Sequence, residues 1–131
     1  MSGKRVRACS ALVLVLLMMG VFSGCEKSEE VRIHSYDIGS PFITSVKDSK
    51  MHVQAEVTFE YNNEKDLEIL DAKKYVVMDA INSVLMTVTE EQLKASDELI
   101  PQLGEKMAAK INESLGITSV TKVYFSKFVS Q

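Results

Sequence analysis

Histidine, cysteine, tryptophan and proline are scarce in this chain of 131 residues, which has two histidines, two cysteines, no tryptophan and two prolines. Those shortages exclude a good deal. His34 and His52 have no metal-ligand spacing, and both fall at solvent-type positions of strand-like segments, which reads as surface histidine. Cys9 and Cys25 both lie near the start, so the body of the chain has no thiol nucleophile and no disulfide framework. No G-x-S-x-G elbow or glycine-rich phosphate loop occurs. Asp66, Glu68 and Asp71 beside Lys73 and Lys74 read as i,i+3 and i,i+4 charge pairs on a solvated helix face rather than as an acid/base group. Met78, Met86 and Met107 keep helical spacing with other apolar residues, which reads as core packing. The expectation is a protein that is not an enzyme, with no catalytic, cofactor-binding or metal-binding residues.

What is present begins with a leader. Lys4, Arg5 and Arg7 precede an apolar run from about Ala11 to Phe22, and small residues Ser23 and Gly24 lead into Cys25. This is the three-part plan of a secretory signal peptide. The run is short of the ~20 residues that span a bilayer as a helix, so a retained transmembrane anchor is the weaker reading. Phe22-Ser23-Gly24-Cys25 resembles a bacterial lipobox, with phenylalanine where leucine is more usual. The expectation is a lipoprotein signal peptide over 1–24, cleavage between Gly24 and Cys25, and lipid on Cys25. An ordinary signal peptide that happens to precede a cysteine is the alternative. In either case the mature part lies outside the cytoplasmic membrane. Residues 25–30 make a short charged linker, and 31–131 make one α+β domain.

All 18 acidic residues follow Gly24, against 12 basic ones, so the mature chain carries a net charge of −6. Such a domain does not seek nucleic acid or anionic headgroups through a basic field. Its membrane attachment would come from acyl chains on Cys25. A mature chain of 107 residues also buries enough surface to fold without disulfides, between roughly 60 and 70% of what it exposes unfolded.

"VRIHSYDIGSPFITSV" (31–46) reads as one or two short strands interrupted by Gly39-Ser40-Pro41, and "KDSK" (47–50) as a turn. Met51, Val53, Ala55, Val57, Phe59 and Tyr61 then alternate with polar residues, which predicts a strand with one buried face. From Glu64 to Val88 the period changes to helical, with Leu67, Leu70, Val77, Met78, Ile81, Leu85 and Val88 on one stripe, in two helices or one bent one. Thr89 and Gln92 make a capping box that predicts a short helix to about Ala95. Ser96 or Asp97 is placed to cap a third helical stretch with Pro101 in its first turn, an apolar stripe of Ile100, Leu103, Met107, Ile111 and Leu115, and a left-handed stop at Gly116. "ITSVTKVYFSKFVSQ" closes as a strand. Its alternation puts Val123, Phe125 and Val129 on one side and Tyr124, Phe128 and (with a bulge) Val120 on the other. The predicted class is α+β: a mainly antiparallel sheet with two or three helices on one face and the C-terminal strand within the sheet.

These segments, in this order, resemble the flagellar basal-body-associated FliL family over about Val31 to Gln131. "SPFITSV" is similar to the family's opening strand and "MHVQAEVTFEY" to its long alternating strand. "VVMDAINSVLMTVTEEQL" and "KMAAKINESLG" resemble its helices, and "VTKVYFSKFVSQ" resembles its terminal strand. The resemblance implies a stomatin-like (SPFH) domain that is not enzymatic. It implies an oligomeric ring on the extracytoplasmic or periplasmic face of the membrane, beside stator or other basal-body proteins, supporting torque generation and motility. Two departures stand out. The family usually has Asn where Thr44 or Ser45 sits, and usually has a transmembrane helix and longer linker where this chain has a lipobox. The alternative is therefore a membrane-anchored envelope lipoprotein that binds a ligand or protein partner unrelated to motility.

Overall fold

Strand β3 (His52–Tyr61) supplies the centre of the sheet, because its alternation gives it one apolar face and one polar face. Val53, Ala55, Val57, Phe59 and Tyr61 are at most 3% exposed, while Gln54, Glu56, Thr58 and Glu60 on the other face remain partly open to solvent. The computed structural model of the protein describes Gly24, residues 30–95 and residues 97–131. The expected signal peptide (1–24, apart from Gly24), the lipid-bearing Cys25, most of the linker and the alternative cap Ser96 lie outside the described residues.

Two short strands share one edge of β3. β1 (His34–Asp37) pairs antiparallel with Thr58–Tyr61, and β2 (Phe42–Ser45) pairs antiparallel with His52–Ala55. Gly39, at φ 71°, turns the chain between them, and Asp37 Oδ1 accepts a bond from its N–H. β4 (Val120–Ser130) takes the opposite edge of β3, antiparallel over almost its whole length. The C-terminal strand is thus bonded into the sheet as expected, and among the described residues it pairs with β3 alone.

Between β3 and β4 run a 3₁₀ turn (Glu64–Asp66) and four helices: α1 (Leu67–Ala72), α2 (Lys74–Leu85), α3 (Glu90–Ala95) and α4 (Leu99–Leu115). The sequence left open one bent helix or two over 64–88, and there are two. Lys73, at φ −114° and ψ 31°, separates α1 from α2. That break rotates the stripe. Leu67 is exposed, and Ala80 and Val84 join Val77, Ile81 and Leu85 in the core. The capping box forms as read: Thr89 Oγ1 accepts from the Gln92 N–H at 3.3 Å, and Gln92 Oε1 accepts from the Thr89 N–H at 3.0 Å.

Asp97 does not cap α4. Glu98 stands at the N-cap with no side-chain bond, and Leu99, not Ile100, begins the buried stripe that continues through Leu103, Met107, Ile111 and Leu115. Pro101 lies in the first turn, where its missing N–H costs no intrahelical bond. Gly116 ends the helix at φ 66°.

The two faces of β4 differ from the simple alternation. The pairing skips Thr121 and Ser126, one bulge residue each, so the phase of the strand changes twice. Val120, Val123, Phe125 and Phe128 consequently lie opposite Tyr61, Phe59, Val57 and Ala55 on the apolar face, with Phe125 and Phe128 edge to face at 5.6 Å. Tyr124 and Val129 lie opposite Thr58 and Gln54 on the polar face, 40% and 43% exposed. The expectation that grouped Val129 with Val123, and Phe128 and Val120 with Tyr124, is corrected by these bulges.

α2 and α4 cover the apolar face and close one core with it. Helix α4 approaches β4 so closely that a Cβ on Gly104 would stand 3.1 Å from the Val123 carbonyl oxygen. Asn112 then holds the last turn of α4 to the start of β4. Its Nδ2 donates to the Val120 carbonyl at 2.9 Å, and its Oδ1 accepts from the Val120 N–H at 3.1 Å, as a neighbouring strand would.

Asn112→Ala leaves both Val120 groups without that partner and is expected to lower stability by about 1–3 kcal/mol, read as a drop in denaturation midpoint; Asn112→Asp, which keeps the acceptor, should lose less. Ser119 Oγ is buried with no hydrogen-bond partner among the described residues. Ser119→Ala should therefore leave the melting temperature unchanged or raise it, since it removes a buried hydroxyl and no bond.

Candidate functional site

The groups that sequence reading singled out do not gather in one place. His52 is exposed at the start of β3, where its backbone exchanges bonds with Gln131 at 2.7 and 3.0 Å. His34 is half-buried rather than a plain surface residue, because it pairs with Tyr61 across the β1–β3 ladder and stacks on its ring at 5.2 Å. Met107 is fully buried and Met78 packs against the core, but Met86 is 57% exposed just beyond the C-terminal end of α2. It is no core residue. Among the described residues no three His, Cys, Asp or Glu side chains come together in a way that could hold a metal ion.

The acidic run Asp66, Glu68 and Asp71 also differs from its expected pairing. The ion pairs among the described residues are Lys94–Glu90 on α3 and Lys110–Glu113 on α4, and neither involves this run. Asp71 and Lys74 alone stand at helical pair spacing, i,i+3, and the break at Lys73 falls between them. Asp71 instead accepts a 2.9 Å bond from the Tyr36 hydroxyl, tying α1 to β1. Burial and that bond push the Tyr36 phenol up to about 12, and burial, followed by Glu64 and Asp71, raises Tyr61 as well. A second tether joins the β2–β3 turn to α3. Ser49 Oγ donates to Glu90 Oε2 at 2.9 Å, and the Lys47 N–H donates to the Val88 carbonyl at 2.9 Å. Lys94 and then Ser49 hold the Glu90 carboxyl below its ordinary value.

What the fold offers is surface. The polar face of the sheet opposes the helical layer and carries rows of side chains across the strands: Ile43–Gln54–Val129, Asp37–Thr58–Tyr124, and Ser35–Glu60–Lys122. Tyr124 donates its hydroxyl to Glu60 at 3.0 Å, and the Lys122 ammonium stands 4.7 Å from the Tyr124 ring centre. Ile43, at 69% exposure, and Val129 make an apolar pair on this otherwise polar face. Where β1 has left β3 and β2 has not yet begun, Asp37, Gly39, Pro41, Glu56 and Ser126 line an open notch. Among the described residues no helix is long and apolar enough to cross a membrane.

An antiparallel sheet with helices on one face, a polar face uncovered among the described residues and a long edge strand defines an α+β domain whose distinguishing features are its faces and edges. The family model for "Flagellar basal body-associated protein FliL" matches residues 35–131, nearly the whole of the domain. A curated relative, "Flagellar protein FliL" of Aquifex aeolicus (strain VF5), is 31% identical over 98 residues, covering 73% of this chain and 60% of its own length. The chain belongs to the flagellar basal body-associated FliL family. It spans about three-fifths of that relative's length.

Because the Tyr36 phenol ionises later in the folded protein than in the unfolded one, its contribution to stability is complete below about pH 10 and is lost as pH rises toward about 12. Tyr36→Phe, which removes the bond to Asp71, should cost ~1–2 kcal/mol at neutral pH and flatten the loss of stability between those values, measured by chemical denaturation across the alkaline range.

Proposed function

We propose that this protein is a non-enzymatic component of the flagellar basal body that associates with stator or neighbouring basal-body proteins and supports torque generation and motility. It works as a homo-oligomer, in a ring held at the extracytoplasmic face of the membrane. The observation that carries this reading is the family match over 35–131, which takes in every strand and helix of the domain except the first residue of β1. The Aquifex aeolicus relative is a flagellar protein by name, and its similarity extends over the same kind of span. The character of the domain agrees with a bracing role. Its hydrogen bonds and ring contacts join strands to one another and to helices, and among the described residues its hollows are open to solvent, on the polar sheet face and in the groove between α2 and α4.

Attachment follows from the leader. The segment 1–24 serves as a lipoprotein signal peptide, cut between Gly24 and Cys25, and the lipid on Cys25 holds the domain to the membrane through the charged linker 25–30. With so short a linker, the domain stands close to the bilayer. It therefore reaches partners near the membrane surface and not far from it.

Removal of the gene should abolish or impair swimming and swarming while growth is unaffected. Crosslinking in intact cells followed by capture of the protein should recover basal-body or stator proteins. Recovery of unrelated envelope proteins alone, with normal motility in the deletion strain, would assign the domain to another envelope task. Cys25→Ala should leave the chain uncut or release it from the membrane fraction; normal processing and unchanged fractionation would exclude the lipid anchor.

A further inference from the structure

The two long sides of the sheet differ in charge, and each exposes apolar side chains. β4 forms one side. Its charged residues are Lys122 and Lys127, both exposed, in a domain that over 31–131 has 11 basic and 15 acidic residues. Neither lysine takes part in the ion pairs of the described residues. Tyr124 and Val129 stand beside them, more than a third exposed. A long edge strand with exposed aromatic and aliphatic side chains is a surface that invites a partner.

The opposite side of the sheet is β1, with α1 tied beneath it through Tyr36 and Asp71. Here the outward face of the 3₁₀ turn and α1 presents Glu64, Leu67 and Glu68, all exposed. From Glu64 to Asp71 there are four acidic residues and one basic, Lys65. Glu64 and Glu68 form no ion pair among the described residues. Lys73 and Lys74 follow only past the helix break. Leu67 is an apolar residue on a helical stripe that the core does not take up, set between two carboxylates.

We infer that these two surfaces bind one another between copies of this chain: the Lys122, Tyr124, Lys127 and Val129 side of one copy against the Glu64, Leu67 and Glu68 face of the next. The inference rests on the oligomeric reading above and names its contact. Leu67 meets Tyr124 and Val129 and loses water, while Glu64 and Glu68 meet the lysines and set the register. Since the two surfaces are different and lie on opposite sides of the domain, the contact is head-to-tail. Each copy keeps one free surface of each kind, so the contact repeats from copy to copy, the arrangement a ring requires. Its charged part also weakens with salt.

The test uses the full chain in detergent, with mass read by light scattering and folding checked by thermal melts. Wild type should be oligomeric. Lys122→Glu with Lys127→Glu, and separately Glu64→Lys with Glu68→Lys, should each fall to monomers, with association at least tenfold weaker. The informative step is mixing. Each variant then offers surfaces complementary to the other's, so an equal mixture should regain the oligomer, as should a single chain carrying all four changes. If the lysine reversals prevent folding, because they face Glu56 and Glu60 across the sheet, Lys122→Gln with Lys127→Gln should still dissociate the oligomer. An oligomeric wild type whose folded variants stay assembled, or whose mixture remains monomeric, overturns this contact and leaves the oligomeric reading standing. A monomeric wild type overturns both.

Discussion

The burial of one face of β3 is the constraint on which the rest of the domain depends. Five side chains on that face, Val53, Ala55, Val57, Phe59 and Tyr61, are almost wholly removed from water. The four larger ones are each worth roughly 1.5–3 kcal/mol relative to exposure and Ala55 less, so the strand face gathers on the order of 10 kcal/mol. That is comparable to the whole net stability of a small domain. Every other element takes its place from this face. β1 and β2 find register by setting Tyr36, Phe42 and Thr44 beside it, β4 by setting Val120, Val123, Phe125 and Phe128 beside it, and α2 and α4 by covering it.

Local order is what the sequence made legible. The period of two in β3, the capping box of Thr89 and Gln92 and the left-handed stop at Gly116 are each set by neighbours within a few residues, and each occurs where it was read. The misreadings come from long-range contacts. Nothing local tells that Leu99 rather than Ile100 will enter the core, because that depends on how α4 settles against β4 at Gly104. Likewise, the phase of β4 depends on two bulges against a partner some seventy residues earlier. His34 read as a surface residue because its stacking partner, Tyr61, is distant in sequence. The same holds for Asp71, whose partner is Tyr36 rather than a lysine of its own helix. Of the functional features, the family resemblance could be seen in the order of segments, whereas the sidedness of the sheet could not, since it requires knowing which strand lies at which edge.

The division of the sheet suits a member of this family. The helical layer covers one face, with Phe125 and Phe128 partly buried there, and leaves the other face and the β4 edge without cover among the described residues. Tethers at the margins hold these surfaces in shape: Tyr36 to Asp71 on the β1 side, Ser49 to Glu90 at the β2–β3 turn, and Asn112 to Val120 where α4 hands over to β4. These bonds act on the outline of the domain.

The two bulges of β4 also bear on how the chain reaches its structure. β4 joins β3 only after a long intervening stretch, so its pairing carries a high loop-closure cost and forms slowly compared with the helices between. During that interval a strand of repeated apolar and lysine residues has several ways to lie on β3. With Thr121 and Ser126 each extruded, β4 falls into three short blocks that must match at once. Sliding by one residue would turn Lys122 and Lys127 inward against the helices and Val123 and Phe128 outward to solvent. The irregularities thus act as a lock with three wards: a partly inserted strand in the wrong register gains little and is released before it is trapped.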